Sequence, residues 1–572
     1  MRYVAILGGL AHEPDLGEGW SVVLREAQVL VLVKATPVCE RGVPGAGLAI
    51  VGSFYDEGGR IDGGGAAIRI ERLLRSGWGV YVAIVEGENG ERLVFRDPGG
   101  RAPCFAAALG DASIVFSDIE DARACGWRPQ GVDWDFMAAL IQDGRIRDAR
   151  TGLSGVTEIL PGQSIARDGR IQSHWLPHRF IGDVIETPEA AESALRTAVE
   201  KAIAAAARGG DRILHLLSGG LDSSLALSCL TQVAGKDRIK ALTFTQGANS
   251  ELDEVRYARI AAEAVGVELV VSTFVPSEVR LERAAAIVDQ PRPLGYVFSI
   301  ENDDAELELA TQWGASVCTS GAGGDGLFYQ LRARTYCADY LRRHGFGPAA
   351  LKVAYDNARL SRVSFWRTLK EGWRLAYGGA PFMPEASAPN PYLAREHAGA
   401  GIGWLDTHPW LEASETWQPG KRLHVWAALD CLNLCYPYRR ARVAQTSLPF
   451  VSQPVIETVL RIPSWLLSSG GRDRSLIRDT FSDIVPAQIL ARNAKGAMDG
   501  YYAEVCAANA AYVRERLLDG VLVGQGLLDR AAIERDLPLN GDPADARELH
   551  LLQALAWEVW AAAWARAPAS AP

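Results

Sequence analysis

The 572 residues are 48% hydrophobic and 22% charged, a balance typical of a soluble globular chain of about two to four domains. The 59 basic and 69 acidic side chains give a formal net charge of −10, which excludes the broad basic face of a general nucleic-acid binder. Such a length allows large apolar cores, and the nine cysteines lack zinc-ligand spacing. We therefore expect a reducing, cytoplasmic setting, with neither disulfides nor a structural metal.

Residues 1–183 are predicted to form an N-terminal β-rich domain. Apolar runs of strand length recur between glycine clusters: YVAIL, SVVL, VLVLV, GLAIVGSF, VYVAIVEG, RLVFRD and SIVFSD. Helical pieces are few, IRIERLLRSG being one. The pattern favours an antiparallel β-sandwich over a parallel doubly wound sheet. The opening YVAIL run is interpreted as the first strand rather than a signal peptide, because it lacks a cleavage site.

Residues 184–572 are predicted to form a second, α/β domain. Thr187 and Pro188 suit the N-cap and first position of a long Ala-rich helix that ends at a Gly-Gly pair. The runs RILHLL, IKALTF, VELVVSTF and ASVCTS then alternate with helical segments, which predicts a parallel sheet. From about residue 340 the chain is expected to be mainly helical. Its last apolar run is too short to span a bilayer.

The segment SGGLDSS, residues 218–224, follows the first of these strands and opens a helix. Glycines allow close backbone approach, and the unpaired N–H groups of a helix start attract an anion. Asp222 would repel a bare phosphate, so its presence indicates a divalent cation between the two. The chain contains no G-x-x-x-x-G-K-[ST] motif. The alternative is an ordinary strand–helix turn with a Ser/Asp cap.

This segment resembles the PP-loop of ATP pyrophosphatases, which cleave ATP to AMP and pyrophosphate. Residues 320–326, SGAGGDG, resemble the SG-x-G-x-D element of the asparagine-synthetase-like branch, and residues 490–496 resemble its late R-x-x-K-G element after the lead at 486–489. The same SGAGGDG segment also fits the dinucleotide fingerprint G-x-G-x-x-G, but the acidic residue inside the loop argues against that interpretation.

The N-terminal domain resembles the glutaminase-like (Ntn-type) domain of the same family. Two motifs carry this likeness. The first is R-D-x-x-G-x-x-P, formed by Arg96, Asp97, Gly100 and Pro103, and the second is the closing turn at 158–162, which contains Pro161 and Gly162. The resemblance thus covers nearly the whole chain in order. It implies a two-domain fold, with a glutaminase-like β-sandwich followed by a PP-loop parallel sheet with a helical extension.

Two departures from the family pattern narrow the function. The family's glutaminase needs a cysteine directly after the initiator Met, where Arg2 stands here; the first cysteine is Cys39, mid-chain. The N-terminal domain is therefore expected to be a degenerate glutaminase. Ala322 replaces the Glu of asparagine synthetases and the Tyr of β-lactam synthetases, so the nucleophile is expected to be an amine that is already partly deprotonated, such as a peptide α-amine.

The branch that best accommodates both departures is the lasso-peptide cyclase, which the G-G-D stretch at 323–325, Ser-Gln-Pro at 452–454 and GGRDR at 470–474 also resemble. The resemblance implies adenylation of an Asp or Glu side chain of a precursor peptide, then attack by the peptide's N-terminal amine to close a macrolactam. It implies as partners the precursor peptide, a leader peptidase and a leader-recognition protein, without nucleic acid or membrane.

The resemblance also implies a set of site residues. Lys495 is expected to stabilise negative charge during catalysis, whereas Arg492 is left between a pyrophosphate contact and a structural ion pair. Asp222 and Asp325 are expected to hold Mg²⁺. ATP is expected to contact Leu217, Ser218, Gly219, Gly220, Asp222, Ser223, Thr243, Phe244, Thr245, Ser320, Gly321, Gly324 and Asp325.

Other residues are expected to be structural. His215 is interpreted as a core histidine, and no tryptophan among Trp404, Trp410, Trp417 and Trp426 is assigned to a substrate groove. Two alternative functions stay open. One is an ammonia-dependent asparagine synthetase or a β-lactam-type synthetase, against which Ala322 counts. The other is a non-catalytic scaffold that binds ATP or a peptide.

Overall fold

A computed structural model describes most of the chain. The described residues are 1–9, 14, 16–26, 28–34, 47–59, 61, 63–246, 254–293, 300–331, 334–378, 389–401, 403–412, 414–435, 439–492, 499–537 and 547–565. Lys495 and Cys39 lie outside them.

The N-terminal part contains eleven strands and four short helices within the described residues. The strands are β1 (Tyr3–Leu7), β2 (Trp20–Glu26), β3 (Val29–Lys34), β4 (Leu48–Asp56), β5 (Gly77–Glu86), β6 (Arg92–Arg96), β7 (Phe105–Leu109), β8 (Ala112–Phe116), β9 (Val156–Glu158), β10 (Gln163–Ala166) and β11 (Ile171–Ser173). The helices are α1 (Ala66–Ser76), α2 (Ile119–Ala124), α3 (Trp134–Gln142) and α4 (His178–Ile181).

These strands form two antiparallel sheets. One has the order β2-β3-β1-β8-β7-β9 and the other the order β11-β10-β6-β5-β4. Alternate residues of β1 face the second sheet, where Tyr3 and Ala5 share a buried core with Val82 and Ile84 of β5. The predicted antiparallel sheets are thus confirmed, and the IRIERLLRSG segment forms α1 as expected.

The R-D-x-x-G-x-x-P segment forms a buried turn after β6. Asp97 accepts hydrogen bonds from the backbone N–H groups of Tyr81 and Gly100, and burial raises its pKa to about 6. Gly100 has φ +63°, and a Cβ there would lie 2.4 Å from Pro161 Cγ, so only glycine fits. The turn of this motif therefore packs closely on the turn that contains Pro161.

The remaining chain builds one sheet and many helices. Their bounds are α5 (Pro188–Arg208), β12 (Ile213–Leu216), α6 (Leu221–Ala234), β13 (Ile239–Thr245), α7 (Glu254–Val265), β14 (Glu268–Thr273), α8 (Ile300–Trp313), β15 (Val317–Ser320), α9 (Gly324–Leu327), α10 (Thr335–His344), α11 (Pro348–Ser361), α12 (Phe365–Tyr377), α13 (Trp404–Thr407), α14 (Pro419–Cys431), β16 (Gln445–Ser447), α15 (Gln453–Arg461), α16 (Ser464–Leu467), α17 (Ser475–Thr480), α18 (Ala487–Leu490), α19 (Asp499–Ala508), α20 (Ala510–Leu518), α21 (Val521–Gly524), α22 (Arg530–Asp536) and α23 (Arg547–Ala565).

The sheet has the order β14-β13-β12-β15-β16 and all its pairs are parallel. Leu216 at the end of β12 is in register with Leu242 of β13 and Ser320 of β15, so three carboxyl ends meet at one edge. The α/β alternation is confirmed, as is the start of α5, where the Thr187 side chain caps the Ala190 N–H. No helix among the described residues has the length and apolarity to cross a bilayer.

A buried ion cluster joins the two parts of the chain. Glu158 accepts from Arg96 at 2.9 Å and Arg147 at 2.7 Å, both of the N-terminal part, and from Arg292 at 3.1 Å. Arg292 also donates to the carbonyls of Asp148 and Arg150. Burial opposes ionisation of Glu158, but the three guanidinium groups outweigh it and lower its pKa to about 2. The boundary at residue 183 itself stays a prediction.

Candidate active site

Two glycine-rich loops meet where β12 and β15 end. A Cβ on Gly321 would lie 2.3 Å from the Ser223 nitrogen, and one on Gly324 would lie 2.5 Å from Asp222 Cγ. Neither glycine leaves room for a side chain, so the second loop packs directly on the start of α6. The parallel pairing of the strands and these close approaches together bring residues 218–224 and 320–326 into one site.

The first loop is held in a single conformation by its own polar groups. Gly219 has φ +67°, which favours glycine, and the hydroxyls of Ser218 and Ser223 are 3.1 Å apart. His215 lies in β12, with Nε2 2.9 Å from the Ser223 carbonyl and Nδ1 2.7 Å from Thr319 Oγ1. Burial lowers the pKa of His215 to about 4, so the ring is neutral at pH 7, as the interpretation of a core histidine requires.

The two predicted metal-binding carboxylates lie together around a third residue that the sequence did not single out. Arg474 Nη1 bonds Asp222 Oδ2 at 2.6 Å and also bonds Asp325 Oδ1. Arg474 is almost fully buried and has φ +50°, with its Nε 3.1 Å from Asp473. The GGRDR segment was noted for its family likeness, but nothing in its composition showed that Arg474 reaches across to the two aspartates.

These carboxylates suit a magnesium ion. Mg²⁺ is usually held by one or two carboxylates together with substrate phosphates and waters, and two carboxylate oxygens here reach the same nitrogen atom. The described residues contain no group of three or more His, Cys, Asp or Glu side chains that could hold a metal ion. Asp222 and Asp325 would hold the ion.

A cavity of about 820 Å³ opens at this edge of the sheet. Most residues that were expected to contact ATP line it: Leu217, Ser218, Gly220, Asp222, Ser223, Thr243, Phe244, Thr245, Ser320, Gly321 and Asp325. Gly219 and Gly324 do not line it. The lack of a side chain lets Gly219 lie close against α7 and lets Gly324 lie close against the Asp222 side chain. Their expected contact with ATP therefore has no support from the geometry.

The cavity has an aromatic side next to the end of β13. Phe244 stacks on Phe274 with ring centroids 5.0 Å apart and planes 27° apart, and both rings line the cavity. An adenine base packs well against such apolar rings. Phe244 of this wall is one of the residues expected to contact ATP.

Several residues of the cavity were not assigned to the site from the sequence. Trp426 of α14 lines the cavity, and Arg145 of the N-terminal part stacks on its ring at 4.6 Å. Glu306 of α8 also lines it and pairs with Arg440 at 2.8 Å. Burial raises the pKa of Glu306 to about 7. A tryptophan or glutamate within a helix carries no local signal of such a role, because only the packing of distant helices decides which face meets the cavity.

Arg492 lies against the first loop without lining the cavity. Its guanidinium donates to the Gly219 carbonyl at 3.1 Å and to Glu254 at 3.2 Å, and it covers the Tyr257 ring at 4.3 Å. Of the two roles left open, the geometry favours the structural ion pair, because these contacts tie the loop to α7. Lys495 lies outside the described residues, so its catalytic role stays a prediction.

The fold and site together define a class. A parallel sheet whose first loop presents glycines and hydroxyls at a helix start is the arrangement of phosphate-binding α/β domains. The model of the asparagine synthase family matches residues 194–565, well over half of the chain. The chain belongs to the asparagine synthase family, and it is an ATP-dependent carbon–nitrogen ligase that releases AMP and pyrophosphate.

Two individual proteins show further similarity. "Asparagine synthetase [glutamine-hydrolyzing] 1" of Bacillus subtilis (strain 168) is 21% identical over 432 residues, which cover 73% of this chain and 67% of that protein. A solved structure titled "Structure of the allosteric regulatory enzyme of purine biosynthesis" is 12% identical, covers 49% of this chain and 81% of its own, and superposes with a TM-score of 0.18.

Proposed function

We propose that this ligase closes an amide bond within a peptide, as lasso-peptide cyclases do. An Asp or Glu side chain of a precursor peptide would attack the α-phosphorus of ATP and release pyrophosphate. The N-terminal amine of the peptide would then attack the acyl-adenylate carbonyl, lose a proton and expel AMP. The peptide loses one water in total, and the product is a macrolactam.

The observation that carries the proposal is Ala322, which lies in the cavity wall between Gly321 and Gly323. Its methyl group can neither accept nor relay a proton, so this position does not help to deprotonate the attacking amine. A peptide α-amine, with an ordinary pKa of about 7.7–8.0, is partly neutral without such help, whereas ammonium and side-chain amines are not.

The N-terminal part supports the same proposal as a glutaminase-like unit without a glutaminase nucleophile. Arg2, directly before β1, forms a two-pronged ion pair with Asp121, at 2.9 and 2.6 Å. Its described cysteines, Cys104 and Cys125, have their thiol pKa raised by burial to about 11, so neither is a thiolate at neutral pH. The amine therefore arrives with the substrate.

The protein's own groups have separable roles in these steps. The backbone and hydroxyls of residues 218–223 would hold the outer phosphates, and Asp222 and Asp325 would bind Mg²⁺, whose charge neutralises the leaving pyrophosphate. Arg474, in contact with both carboxylates, brings a permanent positive charge to the same point. Lys495 is proposed to stabilise negative charge on the α-phosphate during adenylation and on the tetrahedral oxyanion during amide formation.

Exchange of labelled pyrophosphate into ATP tests adenylation. We expect exchange that depends on a precursor peptide with an acidic residue near its N-terminus, and loss of exchange in Asp222→Ala and Lys495→Ala. The intact mass of the peptide should fall by one water as AMP accumulates. Formation of ADP and orthophosphate would overturn the proposal, and silence with every peptide tested would favour a non-catalytic scaffold.

An ammonia-dependent asparagine synthetase is the second candidate, because the family match and the curated relative are asparagine synthetases. Incubation with ATP, free aspartate and ammonia distinguishes the two. Robust formation of asparagine, with no cyclisation of a peptide, would assign this second function. Cyclisation without asparagine would assign the first.

A further inference from the structure

The helical extension exposes a cluster of aromatic side chains, which we call the aromatic face: Phe346, Tyr355, Trp366, Trp373 and Tyr377, with Leu351 beside them. Among the described residues, eleven large apolar side chains are exposed, and six of them fall in this stretch of α11, α12 and the loop before α11. Trp366 is 75% exposed and Phe346 is 60% exposed. Trp366, Trp373 and Tyr377 recur at helical spacing along one side of α12, and Phe346 contacts Trp373. These four exposed rings amount to on the order of 500 Å² of apolar surface, enough to mark a binding site.

Helix α12 is built with its bulky side chains outward. Its buried positions are the small residues Thr368, Gly372 and Ala376, which let it pack closely on α10; a Cβ on Gly372 would lie 2.7 Å from Cys337 Sγ. Trp366 and Trp373 occupy the opposite, solvent-facing side. An ordinary amphipathic helix has the reverse arrangement, so packing against the described residues of this chain does not account for the two exposed tryptophans.

The rings hold one another in place. Phe346 and Trp373 pack edge to face with centroids 6.1 Å apart, and Trp373 meets Tyr377 at 4.8 Å. Trp366 likewise packs against Phe365 at 5.1 Å. A surface whose side chains are already ordered loses little conformational entropy when a partner binds. Ordered Trp, Tyr and Phe rings are the side chains that dominate protein–protein interfaces.

The aromatic face is also basic, in a chain that is acidic. Residues 346–377 contain six Lys and Arg against two acidic residues, a net charge of +4, which leaves −14 on the rest of the chain. Both acids are paired internally, Asp356 with Lys352 and Glu371 with Arg367. Three further cations of this stretch form no ion pair with a described acidic residue: Arg362, Lys370 and Arg374.

The same helices contact the loop that reaches the active site. Asp356 of α11 accepts from the Gly470 N–H at 3.0 Å, and Arg359 donates to the Gly470 carbonyl at 3.4 Å. Four residues later the loop places Arg474 on Asp222 and Asp325. A partner on this face would therefore sit one helix away from the catalytic loop.

We infer that the aromatic face docks an acidic polypeptide partner, one whose Asp and Glu residues flank apolar side chains. Apolar side chains would cover the rings, and the acidic groups would pair with Arg362, Lys370 and Arg374. Four of the six cations are arginines, which are enriched with aromatic residues in protein interfaces. This inference does not depend on which amide bond the enzyme makes.

Fluorescence polarisation tests it on the full-length enzyme. The probe is a labelled peptide that repeats Glu-Leu-Asp-Phe, compared with a charge-reversed peptide that repeats Lys-Leu-Arg-Phe. We expect saturable, salt-sensitive binding of the acidic probe only. Trp366→Ala and Trp373→Ala should each weaken binding at least about tenfold, and Lys370→Glu should reduce its salt dependence.

Val233→Ala removes a comparably exposed side chain elsewhere and should leave binding unchanged. Unaltered thermal melting of the tryptophan variants verifies that they fold. Equal binding of both probes, or no binding of the acidic one, would overturn the inference. So would co-sedimentation with phosphatidylserine vesicles that Trp366→Ala abolishes, which would assign the face to a membrane, or a dimer in light scattering that the same change abolishes, which would assign it to a second copy.

Discussion

Arg474 forms ion pairs with both aspartates of the site and so balances their negative charge. Two carboxylates brought together at the end of a sheet repel each other, and burial strengthens that repulsion. A guanidinium group that bonds both of them removes the repulsion and keeps the site assembled before a nucleotide binds. Its left-handed backbone conformation, at φ +50°, is a cost that the surrounding contacts sustain.

We expect Arg474→Ala to lower the rate of pyrophosphate exchange at least about tenfold, because the site loses a fixed positive charge next to the phosphates. Arg474→Lys should recover part of the rate, since it restores the charge but not the second nitrogen, Nε, with which Arg474 also contacts Asp473. Arg472→Ala is the matched control, because the Arg472 side chain is half-exposed and pairs with Asp479 rather than with the two aspartates of the site. Equal loss in both alanine variants would argue for a general effect on the loop.

The lowered pKa of His215 predicts how the stability of the protein depends on pH. The folded chain holds its imidazole neutral, with the pKa lowered by burial to about 4, while the unfolded chain protonates it below about 6.5. Between these values the unfolded state binds more protons, so stability is complete above about pH 6.5 and is lost as pH falls. One such residue accounts for at most about 3 kcal/mol.

Urea unfolding between pH 7 and pH 4 measures this dependence. The midpoint should fall with pH in the wild type and fall less steeply in His215→Gln. Some slope should persist in the variant, because burial also lowers the pKa of His174 to about 4 and of His408 and His424 to about 3. Identical slopes in the two proteins would show that His215 is not held neutral.

At the scale of elements, the site is a contact between two loops on neighbouring parallel strands. Its glycines are needed because they carry no side chain: the backbone at Gly321 lies directly against Ser223, and the backbone at Gly324 lies directly against Asp222. The SGAGGDG segment could be recognised from its letters. That its glycines serve to fit it onto the first loop became evident only from the pairing of β12 with β15.

We expect Gly324→Ala to reduce pyrophosphate exchange by about tenfold or more, because the new methyl group would displace the Asp222 carboxylate. The φ of Gly324 is ordinary for helix α9, so backbone strain does not contribute. Gly524→Ala, in helix α21 with nothing near its Cβ, is the matched control and should keep full activity with a gain of about 0.5–1 kcal/mol in stability. Normal exchange in Gly324→Ala would contradict the proposed role of Asp222.

At the scale of the whole molecule, buried contacts join the N-terminal part to the rest of the chain. Arg292 enters the N-terminal part and completes the cluster around Glu158, while Trp560 and Trp564 of α23 donate to the carbonyls of Gln290 and Val288 on the same segment. Arg145 also reaches the cavity through Trp426. The N-terminal part therefore packs against a residue of the cavity wall.

Glu158→Gln should destabilise the protein by about 3–5 kcal/mol, because it leaves three buried guanidinium groups without a counter-charge. The stabilisation by the native carboxylate is present above the ordinary glutamate pKa of about 4.3 and is lost as pH falls towards about 2. Urea unfolding at pH 7 measures the difference. Glu120→Gln, at a half-exposed glutamate, should shift stability by no more than about 0.5 kcal/mol, and an equal shift in both variants would contradict the role of the cluster.

The local features of this protein could be predicted from its sequence alone. They are the alternation of strands and helices, the start of α5 at Thr187, the two glycine-rich loops and the buried state of His215. These follow from the order of residues along the chain, where hydrophobic period, capping and turn chemistry act over a few positions. Other features became visible only in the folded chain. These are the contact of Arg474 with the two aspartates, the place of Trp426 in the cavity wall, the position of Arg492 against the first loop, and the outward rings of α12. Each depends on contacts between segments far apart in sequence, and no local pattern records which face of an element will meet which neighbour.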